Sequence, residues 1–190
     1  MLVRGRFPKR RPLALNKALE TMAAEVLVLV VFPVLLALAA GWDIASFTIP
    51  NFLQVALIVS FVAFVAATGM MPAVIGSHLL AGFLGLALGF TLFALGYVGG
   101  GDAKLFACIS LWLGLHNLPE FALIASIMGG ALTVLLLSIR RLPLPDSLTR
   151  QGWILRLHEA RGAIPYGVAL AAGAFLMLPQ AEIFRMAAAL

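Results

Sequence analysis

Charged residues are scarce in this sequence. Only 11% of its 190 residues are Asp, Glu, Lys or Arg, whereas a soluble domain averages about 25%. This shortage excludes an ordinary soluble protein, because 63% of the residues are hydrophobic. Long apolar stretches recur from residue 22 almost to the C-terminus and leave no room for a separate soluble domain. We therefore predict one integral membrane domain.

Cysteine and histidine are also few. A single cysteine, Cys108, excludes an internal disulfide and a cysteine-based metal cluster, and we expect it to pack as a small apolar side chain against a neighbouring helix. His78, His116 and His158 lack the spacing of metal ligands and are expected at the surface or the membrane interface. We predict neither a metal nor another cofactor.

Basic residues are concentrated outside the apolar stretches. The net charge is +5, with six basic residues in the first seventeen positions and five between 140 and 161. Such clusters are typical of loops that face anionic lipid headgroups. Binding of nucleic acid needs a basic surface broad enough to follow phosphates. We therefore predict contact with membrane lipid and no nucleic acid partner.

The apolar stretches predict an all-α, polytopic membrane protein with about six transmembrane helices. Residues 1–21 form a basic N-terminal arm, in which Pro8 and Pro12 are expected to prevent an early helix. Residues 22–190 form a single six-helix membrane domain. The predicted spans are 22–41, 50–68, 79–97, 103–115, 120–139 and 162–178.

The fourth predicted span is unusually short. Its thirteen residues cover about 20 Å as a helix, whereas the hydrocarbon core is about 30 Å thick. We expect Gly99-Gly100-Gly101 to form a Gly-rich break that dips below the headgroups and carries Asp102 with it. Irregular backbone at that depth must be buried in protein or line a watered cavity, and both conditions suit an active site.

The chain has only three aspartates, Asp43, Asp102 and Asp146. Six spans place Asp43 and Asp102 on the same membrane face, and carboxylates at membrane depth are functional candidates. Two close carboxylates share a proton, so one activates a water while the other protonates a carbonyl oxygen. This pair predicts the chemistry of an aspartic protease. Asp146, in Pro-Asp-Ser, is expected to serve a turn or helix cap.

Alternative interpretations stay open at this point. The presence of Asp102, taken alone, is explained by the stabilisation of an acidic residue at a helix N-terminus. Asp43, taken alone, is explained as an ordinary loop carboxylate at the membrane interface. Lys104 could bias the aspartates or orient substrate, but we favour its extension to a lipid phosphate. The same carboxylates would suit a small ion- or proton-coupled transporter or channel component, and a catalytically silent assembly scaffold is a third possibility.

The glycines before Asp102 lack Cβ atoms and so allow a substrate backbone or a helix to approach closely.

Three motif blocks follow one another along the chain. They are Asp43 with Ile49-Pro50-Asn51, then Gly99, Gly101, Asp102 and Lys104, and then Gly162-Ala163-Ile164-Pro165-Tyr166-Gly167. In this order and spacing, the blocks resemble the type IV prepilin peptidase family, the A24 aspartic peptidases. The resemblance covers roughly residues 22–178.

The resemblance implies that Asp43 and Asp102 cleave the leader from a prepilin-like precursor. The cut would fall just before the precursor's hydrophobic helix, on the cytoplasmic side of the bacterial inner membrane. Large members of the family also methylate the new N-terminus with a domain that carries paired cysteines. With one cysteine and a short N-terminal arm, this chain is expected to be a peptidase-only member, of the kind found with tight-adherence (Flp) pilus systems.

The distribution of charge leaves the membrane orientation undecided. Seven basic residues lie on the side of the N-terminus and six on the side of the aspartates. The positive-inside rule therefore favours neither side strongly. The expected cytoplasmic site follows from the resemblance alone.

Overall fold

The regular secondary structure is all helical in the part of the chain that the structure describes. The computed structural model describes residues 11–145, 147, 149–159 and 162–188, and no strand occurs among them. The predicted all-α fold is confirmed. The helices in chain order are α1 (Arg11–Val26), a π-helical turn (Leu27–Val31), α2 (Phe32–Ser46), α3 (Asn51–Thr68), α4 (Pro72–Ala94), α5 (Gly100–Leu113), α6 (Leu118–Ile139), α7 (Gly152–His158), α8 (Tyr166–Met177), a 3₁₀ turn (Leu178–Gln180) and α9 (Glu182–Ala188).

Several helices are long and apolar enough to cross a membrane. In the described part of the chain these are Leu15–Ser46, Asn51–Thr68, Pro72–Ala94 and Leu118–Ile139. They expose bulky apolar side chains such as Phe83 and Phe90, which suits a surface that faces lipid. The predicted polytopic membrane fold is confirmed. Because α5 and the apolar stretch Tyr166–Gln180 are shorter, the count of six spans stays a prediction.

The first helix begins earlier than predicted. Pro12 was expected to prevent a helix before residue 22, yet α1 begins at Arg11, because the first turn of a helix needs no N–H from proline. The π-helical turn then joins α1 to α2, and the Phe32 N–H bonds to the Leu27 carbonyl. Pro33 follows immediately, and the wider turn accommodates its ring within a continuous helix.

Helix α5 lies at the centre of the fold. Most of its side chains from Ala103 to Leu113 are buried, as expected for a helix that is apolar on all sides. The Trp112 ring stacks on Phe32 at 4.6 Å, and its Nε1–H donates to the Leu57 carbonyl at 2.8 Å. Cys108 is buried on this helix, as predicted. The prediction of a short fourth span is also confirmed, because α5, which corresponds to it, has only 14 residues.

Glycines on α4 bring it close to α5. A Cβ atom at Gly89 would lie 2.9 Å from the Cα of Ala103, and one at Gly85 would lie 2.6 Å from the Ser110 Oγ. Such small residues allow two helix backbones to approach closely in a membrane. Because Ala103 follows Asp102 directly, this packing also fixes the position of that aspartate.

The Gly-rich break lies earlier than predicted. The third span was expected to reach residue 97 and the break to cover residues 99–101. Instead, α4 ends at Ala94 and α5 already begins at Gly100. Gly96, with φ of 78°, ends α4, since a positive φ is readily available only to glycine. The Asp102 carboxylate accepts the Gly99 N–H and thereby stabilises a helix start at Gly100.

The prediction that His78 lies at the surface or interface is wrong. Its side chain is fully buried, and its Nδ1 lies 2.7 Å from the Leu111 carbonyl oxygen. Gly114 makes the space, because a Cβ atom there would lie 3.1 Å from the imidazole ring. Asp146, predicted to be a turn or cap residue, lies outside the described residues, as do residues 1–10 of the basic arm.

Candidate active site

The C-terminal end of α2 holds Asp43, whose side chain is only 3% exposed. The helix stops at Phe47, which has a left-handed φ of 54° and donates its N–H to the Asp43 carbonyl at 2.8 Å. A positive φ is unusual for a residue other than glycine and is often found at functional sites. The resulting sharp turn brings Ile49 and Asn51 back beside Asp43.

The first turn of α5 holds Asp102, which is 9% exposed. Its Oδ2 accepts the Gly99 N–H at 3.1 Å. Its Oδ1 is buried and has no hydrogen-bond partner among the described residues. An unpaired buried carboxylate oxygen is costly and uncommon in native proteins, so it indicates a group that receives a proton or a ligand.

Gly167, in the first turn of α8, holds the Asp43 carboxylate. Its N–H donates to the Asp43 Oδ2 at 2.6 Å. A Cβ atom at Gly167 would lie 2.8 Å from the Asp43 Oδ2, so this position requires glycine. Gly167 belongs to the third motif block, but the sequence did not indicate this contact with Asp43.

Asp43 and Asp102 line one cavity of about 300 Å³. Eight of the nine residues proposed from the sequence line it, and the ninth, Pro50, instead precedes the first residue of α3. Phe47 and Thr48 also line the cavity and were not predicted. The described lining residues are Asp43, Phe47, Thr48, Ile49, Asn51, Gly99, Gly100, Gly101, Asp102 and Lys104.

Two hydrogen bonds join the motif of Asp43 to the motif of Asp102. The Lys104 Nζ donates to the Asn51 Oδ1 at 3.0 Å, and the Gln54 Nε2 donates to the Gly101 carbonyl at 3.2 Å. Lys104 therefore contacts protein, whereas contact with a lipid phosphate was expected. The role of Gln54 was not predicted, because the sequence does not indicate which group the side chain of a glutamine in an apolar helix binds.

Two arginines hold the segment that precedes α8. The Arg140 guanidinium donates to the carbonyls of Leu157, Gly162 and Ala163 at 2.7, 3.0 and 2.8 Å. Arg156 donates to the Ala45 carbonyl at 2.7 Å, two residues past Asp43. The basic residues between 140 and 161 were expected to face lipid headgroups, with contact to a substrate's leader as an equal alternative for residues 146–161. The structure shows that these two arginines also fix the backbone that leads to Gly167.

We expect Arg140→Lys to lower kcat by about tenfold to 100-fold, the range produced by small displacements of a reacting group. Lysine keeps the charge but lacks the planar fork that binds several carbonyls at once. Cleavage kinetics with the leader-bearing precursor that the motif resemblance implies would measure the effect. Arg141→Lys, at the exposed neighbouring residue, is the control and should retain full activity. Equal rates for both variants would contradict a positioning role for Arg140.

The geometry suits activation of a water molecule between two carboxylates. Within the described ranges, no group of three His, Cys, Asp or Glu side chains is placed to hold a metal ion. The fold and the cavity together define a class: a polytopic helical membrane protein with a buried pair of aspartates at one end of its helices.

Comparison with known proteins identifies the family. The profile of the type IV leader peptidase family matches residues 30–134, more than half of the chain, and the chain belongs to this family. The predicted resemblance is confirmed. The matched region includes Asp43 and Asp102 but not Gly167.

Two relatives illustrate the extent of the similarity. A prepilin leader peptidase/N-methyltransferase from Dickeya chrysanthemi is 34% identical over 133 residues, which cover 66% of this chain and 46% of the relative. One from Bacillus subtilis (strain 168) is 35% identical over 134 residues, covering 65% and 52%. The chain thus spans about half the length of these relatives. No solved structure matches the chain significantly.

Proposed function

We propose that this chain is a membrane-embedded aspartic endopeptidase that removes the leader peptide from type IV prepilin-like precursors. The observation that carries the proposal is the cavity in which Asp43 and Asp102 meet, each almost fully buried and each from a separate motif block. Membership of the type IV leader peptidase family supports it. So do the names of the two relatives, both prepilin leader peptidases.

Hydrolysis would begin with the two aspartates sharing one proton. The ionised carboxylate takes a proton from a water molecule as the water oxygen attacks the scissile carbonyl carbon. The protonated carboxyl gives its proton to the carbonyl oxygen. The product of this step is a tetrahedral diol, with no covalent bond to the protein.

Collapse of the diol would complete the reaction. The carboxylate that protonated the carbonyl oxygen takes a proton from one hydroxyl group of the diol. The carboxyl that took its proton from the water gives that proton to the nitrogen as the C–N bond breaks. One water is consumed, and a new carboxyl terminus and a new amino terminus are formed. The aspartates return to their starting state. Because the pair titrates as a unit, neither aspartate is assigned a fixed role.

Other cavity residues would shape the site for an extended peptide. Gly99, Gly100 and Gly101 line the cavity without side chains. Gly101 also allows α5 to approach Ile49, since a Cβ atom there would lie 3.2 Å from the Ile49 Cβ. The turn at Ile49 and Pro50 leads into α3, and Asn51 with Lys104 forms the polar wall. We propose that these residues bind or position the substrate.

The proposed setting is the bacterial inner membrane, with the aspartates facing the cytoplasm. Four long apolar helices support a multi-pass protein, and the cytoplasmic orientation follows from the family resemblance. The expectations that the chain lacks N-methyltransferase activity and serves a tight-adherence pilus system stay predictions.

The direct test is cleavage of a membrane-anchored prepilin precursor by the purified full chain in detergent. Mass spectrometry should show one cut, with a free leader and a shortened apolar product. A precursor whose residues around the junction are scrambled is the matched control and should stay intact. Ion flux in liposomes without any cleavage would contradict the proposal and favour a transporter.

A further inference from the structure

A second, larger cavity meets the first at Asp102. It has a volume of about 460 Å³ and lies between α4, α5, α6 and α8. We call it the apolar groove. Of the described residues that line it, only Asp102 is acidic or basic. Its walls include Leu88, Phe106, Ala125, Gly130 and Leu170.

The two cavities differ in chemistry. The first contains Asn51, Lys104 and both aspartates, whereas the groove is lined almost entirely by apolar and small residues. Asp102 lines both cavities. A peptide lying across Asp102 would therefore place a polar stretch on one side and an apolar stretch on the other.

We propose that the apolar groove binds the apolar residues that follow the scissile bond, while the leader lies along the polar cavity. This inference rests on the proposed function and adds where each half of the substrate lies. One turn of an α-helix, about 10 Å wide and 5.4 Å long, occupies roughly 400 Å³. The groove thus has room for about one turn of a precursor's hydrophobic helix.

The position of Asp102, which lines both cavities, favours a peptide over a lipid tail as the occupant. A lipid acyl chain is apolar along its length and offers no hydrogen bonds to the polar cavity. A peptide carries N–H and C=O groups along its whole length. One peptide can therefore place backbone groups in the polar cavity and apolar side chains in the groove.

Gly130 offers a way to fill the groove without disturbing the fold. A Cβ atom at Gly130 would meet no neighbouring atom within 4 Å, and the residue lines the groove. Gly76 on α4 is equally open and is not among the residues that line the groove. Gly130→Phe and Gly76→Phe therefore form a matched pair, one inside the groove and one outside it.

We expect Gly130→Phe to lower kcat/KM for a membrane-anchored precursor by about tenfold to 100-fold, through lost burial of one or two apolar side chains. A peptide that ends one residue past the scissile bond should be cleaved by this variant and the wild type at equal rates. Gly76→Phe should match the wild type with both substrates. Thermal unfolding of each variant would verify that the fold is retained.

The outcomes separate the two proposals. If the wild type cleaves the precursor and Gly130→Phe cleaves it equally well, the groove proposal is overturned and the proposed function stands. If Gly130→Phe slows cleavage of the short peptide to the same extent, the groove proposal is also overturned. If the wild type cleaves no precursor, both proposals fall.

Cross-linking gives a second test that does not depend on turnover. In a Cys108→Ala, Asp43→Asn background, Gly130→Cys would be joined by a short bismaleimide to a cysteine placed within the first four precursor residues after the scissile bond. Gly76→Cys should not react with the precursor. Equal cross-linking from both positions, or a preference of Gly130→Cys for cysteines in the leader, would overturn the inference.

Discussion

Replacing Asp43 or Asp102 by asparagine is expected to abolish precursor cleavage while the protein stays folded and inserted. Asparagine keeps the shape of aspartate but exchanges no proton. Loss of one acid–base group costs about 10²- to 10⁴-fold in rate. We expect the upper end of this range, because a shared proton makes both groups necessary in each half of the reaction.

Single-turnover cleavage, followed by mass spectrometry, would measure this loss. The double variant should be no slower than either single variant, since residues that act as a unit are not additive. Glu120→Gln, in the first turn of α6, removes a carboxylate away from the cavity and should keep the wild-type rate. Processing at the wild-type rate by either aspartate variant would show that the pair is not catalytic.

Gly167→Ala is expected to reduce kcat by about 100-fold, the cost of displacing a reacting group by about 1 Å. The added Cβ would lie 2.8 Å from both the Asp43 Oδ2 and the Ile49 Cδ1. Either the carboxylate or the start of α8 must then move, and the 2.6 Å hydrogen bond from the Gly167 N–H is distorted.

The control for this variant is Gly41→Ala, on the same helix as Asp43 but with open space around the added atom. It should leave kcat and KM unchanged. Gly167→Ala should change kcat far more than KM, because the residue holds a carboxylate and is not expected to bind substrate. A fall in thermal stability with unchanged kcat would mean that Gly167 only packs α8 and does not position Asp43.

The pair of aspartates could be predicted because it depends on local patterns. Asp43 and Asp102 each adjoin a helix end, and alternating spans bring those ends to the same side of the membrane. The contacts of Gln54 and Arg140 could not be predicted. Both donate to backbone carbonyls. Because every residue supplies such an acceptor, the sequence does not indicate which residue is the partner.

Helix ends were the least predictable part of the fold. Tyr97 and Val98 continue the apolar pattern of the third span, yet the backbone leaves the helix once Gly96 adopts a positive φ. Apolar patterns also failed to separate central from peripheral helices. In a membrane both kinds carry apolar side chains on every face, so the central place of α5 and the burial of His78 emerge only from the packing.

The bonds of Arg140 bear on which residues of this segment can change. All three end on main-chain oxygens, at residues 157, 162 and 163. Because any amino acid supplies that oxygen, the side chains of Leu157 and Ala163 can vary over evolution without loss of these bonds. Gly162 cannot vary in the same way, since a Cβ atom there would lie 3.0 Å from the Arg156 carbonyl oxygen. Substitution along the segment is therefore limited by backbone packing and not by the partners of Arg140.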